Sequence, residues 1–347
     1  MLFLRSTMIL CLCFTLVGCN TQTSSGPNAS SAPVETENQP PATTQTTGAV
    51  TGATPGRLDS FKSYSYSERA FPDDNVWNTD ISRAEVDPNS QTYINSLGPG
   101  NLHPDFGTVW AGEKIGIPVN VVHADQPKVP VSFLYASDSD KGPYPVPHDA
   151  LIQQGQDSTG DRHLTVVDVD NGLLYEIYRA FPDGSGGWKG DSGAIFDLKT
   201  NKQRPDFWTS ADAAGLPIFP SLVRYDEVVL QGEIRHALRV TANKTRRAYV
   251  FPATHQASTL TDVSLPPMGA RLRLKANFDI SPYSKHLQVI LIALKKYGMF
   301  IADNGTSWQI TGEYNMSWDD QELHALKTVP GSAFEVIKLP PVRYTPW

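Results

Sequence analysis

Cysteine is nearly absent from this chain. Its 347 residues hold three, Cys11, Cys13 and Cys19, all close to the N-terminus. Beyond Cys19 the sequence can form no disulfide, no cysteine nucleophile and no cysteine-ligated zinc site. A bilayer-spanning run is also missing, because the apolar stretch from Met8 to Val17 falls well short of the roughly 20 residues a transmembrane helix needs. Positive charge is not in excess either. The net charge is -7 with acids and bases interspersed, and there is no basic tail, zinc-finger spacing or RNP-like strand, so nucleic acid is not an expected partner. The eight histidines are scattered without an H-E-x-x-H pair, and no G-x-S-x-G elbow or phosphate-binding glycine loop occurs. Asp138-Ser139-Asp140-Lys141-Gly142 has the oxygen-rich look of a calcium turn but lacks EF-hand spacing, and Pro143, Pro145 and Pro147 block a following helix. No metal and no cofactor are expected.

The N-terminus has the layout of a secretory signal: an early cation at Arg5, the apolar Met8–Val17 stretch and a small residue before the cut. Leu16-Val17-Gly18-Cys19 resembles the lipobox of bacterial lipoproteins. That resemblance implies a signal peptide over 1–18, cleavage before Cys19 and a palmitate-type acyl chain on Cys19. The plainer alternative is an ordinary signal peptide with a coincidental cysteine. The implied location is the bacterial cell envelope, extracytoplasmic, at the outer membrane or cell surface, with the lipid as the membrane contact. Residues 19–60 are rich in Ser, Thr, Gln, Pro, Gly and Ala. They bury too little apolar surface to offset ordering entropy, so they read as a disordered tether. A tether suits a protein that reaches something large and immobile.

Residues 61–347 read as one β-rich domain, with 27 prolines and 26 glycines in the whole chain breaking it into short elements. Strands are expected at 117–122, 129–134, 163–168, 173–179, 236–241, 247–251, 270–276 and 299–302. A helix is expected over 285–297, with Leu287, Ile290, Leu291 and Leu294 on one stripe and Gly298 as its stop, and a second over 319–327 behind an Asp319 or Asp320 cap. The fold class is therefore mainly β: a single large β-sandwich or jelly-roll-like domain with a few peripheral helices.

Three groups of residues carry candidate chemistry. In the first, Asn171-Gly172 joins two strands as a two-residue hairpin turn, which pairs Val167 with Glu176 and Thr165 with Tyr178. Leu164, Val166, Tyr175 and Ile177 then share a core face. His163, Thr165, Val167, Glu176 and Tyr178 share the other, either a reactive floor or the solvent side of a sheet. Second, Glu233, Arg235 and Arg239 alternate on one strand, and Arg271, Arg273 and Lys275 on another. Such rows bind carboxylates or sulfates of an acidic glycan, or are solvated surface. His236 falls on the apolar face as a core histidine. Third, His255 and Asp303 sit at strand exits, where site residues collect. Tryptophans 77, 110, 188, 208, 308 and 318 sit mostly in loops, where flat rings stack on sugar faces or cap the core; Trp188, beside Gly184–Gly187, is the one expected to be exposed.

Segments 161–178, 193–214 and 232–255 resemble exported bacterial proteins, a resemblance that supplies no catalytic residue. From the residues alone, the expectation is a membrane-tethered protein acting on polysaccharide, as a glycoside hydrolase using a carboxylate pair. Glu176 serves as acid or nucleophile and Asp303 as its better partner, with His163 and Tyr178 beside them; Trp188, Arg235, Arg239 and His255 hold substrate. On a uronate, an arginine with His163 or Tyr178 would make it a polysaccharide lyase. The alternative is a non-catalytic glycan- or cell-wall-binding lipoprotein.

Overall fold

Fifteen strands in four sheets, with short helices around them, make up residues 69–344, which are the residues the computed structural model describes. The leader, Cys19 and the tether lie outside the described residues. All the described residues fall within one unit. The fold class is mainly β, and the helices are peripheral.

The hairpin shows how local chemistry sets the rest. Leu164–Asp168 and Leu173–Tyr178 do pair antiparallel, but Thr165 lies opposite Glu176 and Val166 opposite Tyr175. The register is shifted by two residues from the one a two-residue Asn-Gly turn gives, so the loop is 169–172. The reason is Asp168. Its buried carboxylate accepts the backbone N–H of Asn171 at 3.1 Å and its side-chain amide at 2.7 Å, and Gly172 donates back to the Asp168 carbonyl at 2.8 Å with φ +64°. An Asx turn of this kind outcompetes the tighter turn. A shift of two keeps every side chain on its face.

A four-stranded sheet forms around that hairpin in the order 192–197, 173–178, 164–168, 119–122. Leu164, Val166, Tyr175 and Ile177 on one face build a small core with Tyr144, Ile152 and Trp188. The opposite face packs inward as well. Val167, Leu174, Ala194 and Phe196 join the main core with Leu238, Val240 and Ile301. The face with Thr165 and Glu176 is therefore interior, not the solvent side of a sheet.

The main core is laid on a six-stranded mixed sheet, ordered 103–105, 309–311, 238–242, 299–304, 271–274 and 334–336. One of its two parallel pairs, 238–242 with 299–304, carries a bulge. Arg239 lies opposite Phe300 and Val240 opposite Ile301, but Thr241 lies opposite Asp303. Ala302 is the extra residue. Strict alternation through Ala302 would turn Asp303 away from Arg239; the bulge brings the carboxylate to the same face.

Helix Lys285–Lys296 backs this sheet with Leu287, Ile290, Leu291 and Leu294 buried, capped by Ser284, whose side chain accepts the Leu287 N–H. Gly298 ends it at φ +67°, where a Cβ would lie 2.2 Å from the Leu272 carbonyl oxygen, so no other residue fits. The second expected helix is a four-residue α-helix, Asp320–Leu323, capped by Asp319 and continued by a 3-10 turn to Thr328. The strand expected at 247–251 is absent; Tyr249 makes isolated bridges to Met268 and Arg343 instead.

Of the two rows, Arg239, Arg271 and Arg273 are buried and not free for ligand, while Glu233 and Arg235 precede the strand, which begins at Leu238. Arg271 is buried and donates to the carbonyls of Tyr297, Val76 and Thr79. Arg273 is buried against Glu335 and the Ala84 carbonyl. Each guanidinium has enough donors to tie several loop carbonyls to the sheet, work a lysine could not do.

Candidate functional site

Where the inward face of the four-stranded sheet runs out, at Tyr178 and Ser192, it meets the two central strands of the six-stranded sheet, which carry Arg239 and Asp303. A cavity of about 450 Å³ opens there. Tyr135, Tyr178, Thr209 and Ser210 line it together with Asp138, Asp303 and the small residues Ala211, Ala213 and Ala257. Asp212 and His255 complete the wall.

Arg239 is the scaffold of this corner. It is buried and grips Asp212 through two parallel contacts of 2.8 and 2.9 Å, and its third nitrogen reaches the Thr311 hydroxyl. Burial works against the guanidinium charge, yet Asp212 more than offsets it and the pKa of Arg239 is raised. With this fork occupied, Arg239 is a support of the cavity and not a free cation for an anionic ligand. Among the described residues, the cavity wall holds no lysine or arginine.

Asp303 has a different setting. Its Oδ1 accepts the backbone N–H of Asn304 at 2.6 Å. Burial, then the nearby Asp212 carboxylate, push its pKa up to about 7, against the pull of Arg239. Near neutral pH it therefore exchanges a proton at the wall of an open cavity, the condition a general acid needs.

Asp161 enters from the other sheet. It is exposed, and it lies close enough to Tyr178, Asp212, Asp303 and Asp105 to shift their acidities. Its Oδ1 accepts from the Tyr178 hydroxyl at 3.4 Å. The backbone that presents it is held hard. Arg162 sits at φ +50°, unfavourable for a residue with a Cβ. Its buried guanidinium donates to the carbonyls of Ala180, Gln156 and Ser158 and lies 4.2 Å over the Phe181 ring. Strain of about 1–2 kcal/mol is thereby offset by several hydrogen bonds of about 1 kcal/mol or more each.

His163 is buried, its ring centroid 5.5 Å from that of Tyr178, and its Nδ1 has no hydrogen-bond partner. Burial pushes its pKa down to about 4, so the ring is neutral near pH 7. The Tyr178 hydroxyl is raised, first by burial and then by Asp161, and remains a phenol. His255 pairs its Nδ1 with the Ala213 carbonyl at 2.9 Å, which fixes that nitrogen as the donor and leaves Nε2 for the cavity.

The residues singled out from sequence thus divide. Asp303, Tyr178 and His255 line one cavity, with His163 and Arg239 behind its wall. Glu176 does not join them. It is 0% exposed and accepts the backbone N–H groups of Ile218 and Phe219 at 2.9–3.1 Å, ahead of the 3-10 turn Phe219–Ser221. Burial raises its pKa to about 7 against those two bonds. It is a buried acceptor between sheets. Arg235 is half-buried and lies outside the cavity wall.

The expected exposure of Trp188 is also corrected: it is 7% exposed, in the strand Trp188–Gly190 over the small core. Gly187 and Ser185 donate to Asp183, folding the glycine loop tightly enough to press the ring inward. His236 is a satisfied core histidine, bonded to Glu227 and the Ala237 carbonyl. Asp140, read as part of a calcium turn, instead accepts from Arg204 and the Ile195 N–H.

Asp212 and Asp161 were not singled out from sequence. Asp212 sits in Ser210-Ala211-Asp212-Ala213-Ala214, where a lone carboxylate among alanines reads as a loop. Asp161 carried one signal, its place just before the hairpin. Comparison with known proteins gives no match: no family model, no curated protein and no solved structure aligns with this chain.

Proposed function

We propose that this is an envelope-tethered, extracytoplasmic glycoside hydrolase acting on polysaccharide, with Asp303 as the general acid. The observation that carries it is the pairing of an open, hydroxyl-lined cavity with a carboxyl group whose pKa is about 7. Tyrosine and threonine side chains and the carboxyl groups of Asp138 and Asp303, set among small apolar residues, offer donors and acceptors of the kind a sugar needs. Asp303 gives its proton to the glycosidic oxygen as the bond to the anomeric carbon breaks. Asp161 takes a proton from the incoming water, whose oxygen bonds to that carbon; one sugar leaves as an alcohol and the other as a reducing end. Tyr178 holds Asp161 through its hydroxyl. His255 and the Ser210 loop position the ring.

The same wall argues for a neutral or basic sugar at the cleavage point. A uronate placed there would meet Asp138 and Asp303 with no lysine or arginine in the wall to neutralise it, so a lyase route is disfavoured. The lipid on Cys19 and the tether belong to this reading as the means of holding the domain near an immobile polymer. It is tested by reducing-end release from a panel of neutral and acidic polysaccharides. Release by the parent that disappears in Asp303→Asn supports hydrolysis; no release from any polymer contradicts it.

A further inference from the structure

A second, smaller cavity of about 150 Å³ lies on the same face of the six-stranded sheet. His103 and Asp105 line it, and Asp105 lies opposite Thr311, whose hydroxyl receives Arg239. The strand of Asp105 is three strand spacings from that of Asp303, roughly 14 Å across the sheet. Asp161 is within electrostatic reach of Asp105, Asp212 and Asp303. The strands that carry the two cavities are thus farther apart than one sugar ring is long, so only a ligand of more than one unit could reach both.

The second cavity has the opposite character. Its roof is Trp110, 61% exposed, carried on the two-residue hairpin Val109–Trp110 and Glu113–Lys114. Ala111 and Gly112 both have positive φ, 52° and 88°, the arrangement of a type I′ turn, so this ring is presented on a tight, twisted tip. The Lys327 ammonium lies 5.5 Å from the Trp110 ring centroid and the His324 ring 5.7 Å from it at 65°. His103 completes the wall, and its Nδ1 is buried without a hydrogen-bond partner. Burial, then Lys327, press the acidity of His103 in the direction that disfavours its charge. Of the acids here, Asp320 is taken by the N–H and hydroxyl of Thr108, and burial raises Asp105. The balance is an aromatic plate with the Lys327 ammonium and the His324 ring beside it and His103 in the wall, while two carboxyl groups, Asp105 and Asp320, share the same lining.

We propose that this cavity is a distal subsite of the same groove that takes an acidic sugar unit, its ring on Trp110 and its carboxylate or sulfate against His103, His324 and Lys327. The proposal rests on the first cavity's holding polysaccharide. It implies a glycan in which an acidic unit lies away from the neutral or basic unit being cleaved. A polymer acidic at every unit is rejected by the first cavity, and one acidic at none leaves the second cavity unused.

The test is retardation of the full-length protein in gels containing hyaluronan, chondroitin sulfate, polygalacturonate or dextran. Hyaluronan, whose anions are carboxylates, and chondroitin sulfate, which adds sulfates, separate the two anion types. The expected result is retardation by one or both of these and less by polygalacturonate or dextran. Trp110→Ala and Lys327→Met each weaken it about tenfold, an aromatic or charged contact of roughly 1–2 kcal/mol, and Lys327→Arg keeps it. Melting curves matching the parent show that the variants are folded. Equal retardation of Trp110→Ala and parent, equal retardation by dextran and hyaluronan, or none in either alternating polymer overturns the subsite. Retardation without product release leaves the subsite standing and removes the hydrolase reading instead.

Discussion

Asp303 and Glu176 have been driven to the same acidity, about 7, by the same cause, burial. Their surroundings differ in one respect. Glu176 lies between the two sheets, and two backbone N–H groups consume its oxygens. Asp303 stands at a bulged strand end on the wall of a cavity, with one backbone N–H as its partner from the chain. Glu313 repeats the closed case: fully interior, pushed up to about 7, and bonded to the Tyr225 N–H and the Asn315 amide. A raised pKa thus marks burial first and a reactive group only when a substrate can reach it. That is why a pKa alone selects three residues here and geometry selects one.

The comparison is broken or sharpened by substitution. The largest expected effect is on Asp303→Asn, which removes the exchangeable proton and should lower turnover about 10²–10⁴-fold. Because the charged form of Asp303 is disfavoured in the fold, the same variant should be no less stable than the parent at pH 8, read by denaturant unfolding. Arg239→Ala comes next. It leaves Asp212 as an uncompensated buried charge and should destabilise by about 3–5 kcal/mol, visible as a large drop in the unfolding midpoint. Glu176→Ala should follow at about 1–3 kcal/mol, since the N–H groups of Ile218 and Phe219 lose their acceptor.

A pH series separates the two carboxyl groups further. In the fold, Glu176 keeps its proton up to about 7, while its ordinary value is 4.5. The native state then binds more protons than the unfolded chain. Its contribution to stability is fully present below pH 4.5 and is lost as pH rises through about 7, on the order of 3 kcal/mol in all. Glu176→Gln should flatten that part of the stability profile and leave the activity profile alone. Activity should fall about tenfold per pH unit above 7 as Asp303 loses its proton, and the residual activity of Asp303→Asn should not show that limb.

Much of the frame was legible from residue order. The helix stripe at Leu287, Ile290, Leu291 and Leu294, the stop at Gly298 and the two faces of the hairpin follow from periodicity and turn chemistry, which act within a few residues. Register was not, because Asp168 closes its own Asx turn and shifts the pairing by two. The type I′ turn expected at Asn171-Gly172 stands instead at Ala111-Gly112, where propensity gave no sign of it. Asp303 was legible as a strand exit, but its direction depends on one extra residue at Ala302. The arginine rows look alike in sequence to a ligand surface, and only long-range partners such as Asp212, Glu335 and the Tyr297 carbonyl reveal them as interior anchors. Trp188 departs from its expected role because a neighbouring glycine run loosens a loop in sequence, and Asp183 tightens it in space.

The most direct test is reducing-end release by the parent, Glu176→Gln and Asp303→Asn on one cleaved polysaccharide at pH 6.5. A glutamine in place of Glu176 keeps one oxygen able to accept both backbone N–H groups, since Oε1 of Glu176 already receives Ile218 at 3.0 Å and Phe219 at 2.9 Å. Glu176→Gln should therefore release product at close to the parental rate while Asp303→Asn releases almost none. Loss in folded Glu176→Gln with activity kept in Asp303→Asn would contradict the assignment of the reacting acid to the cavity wall.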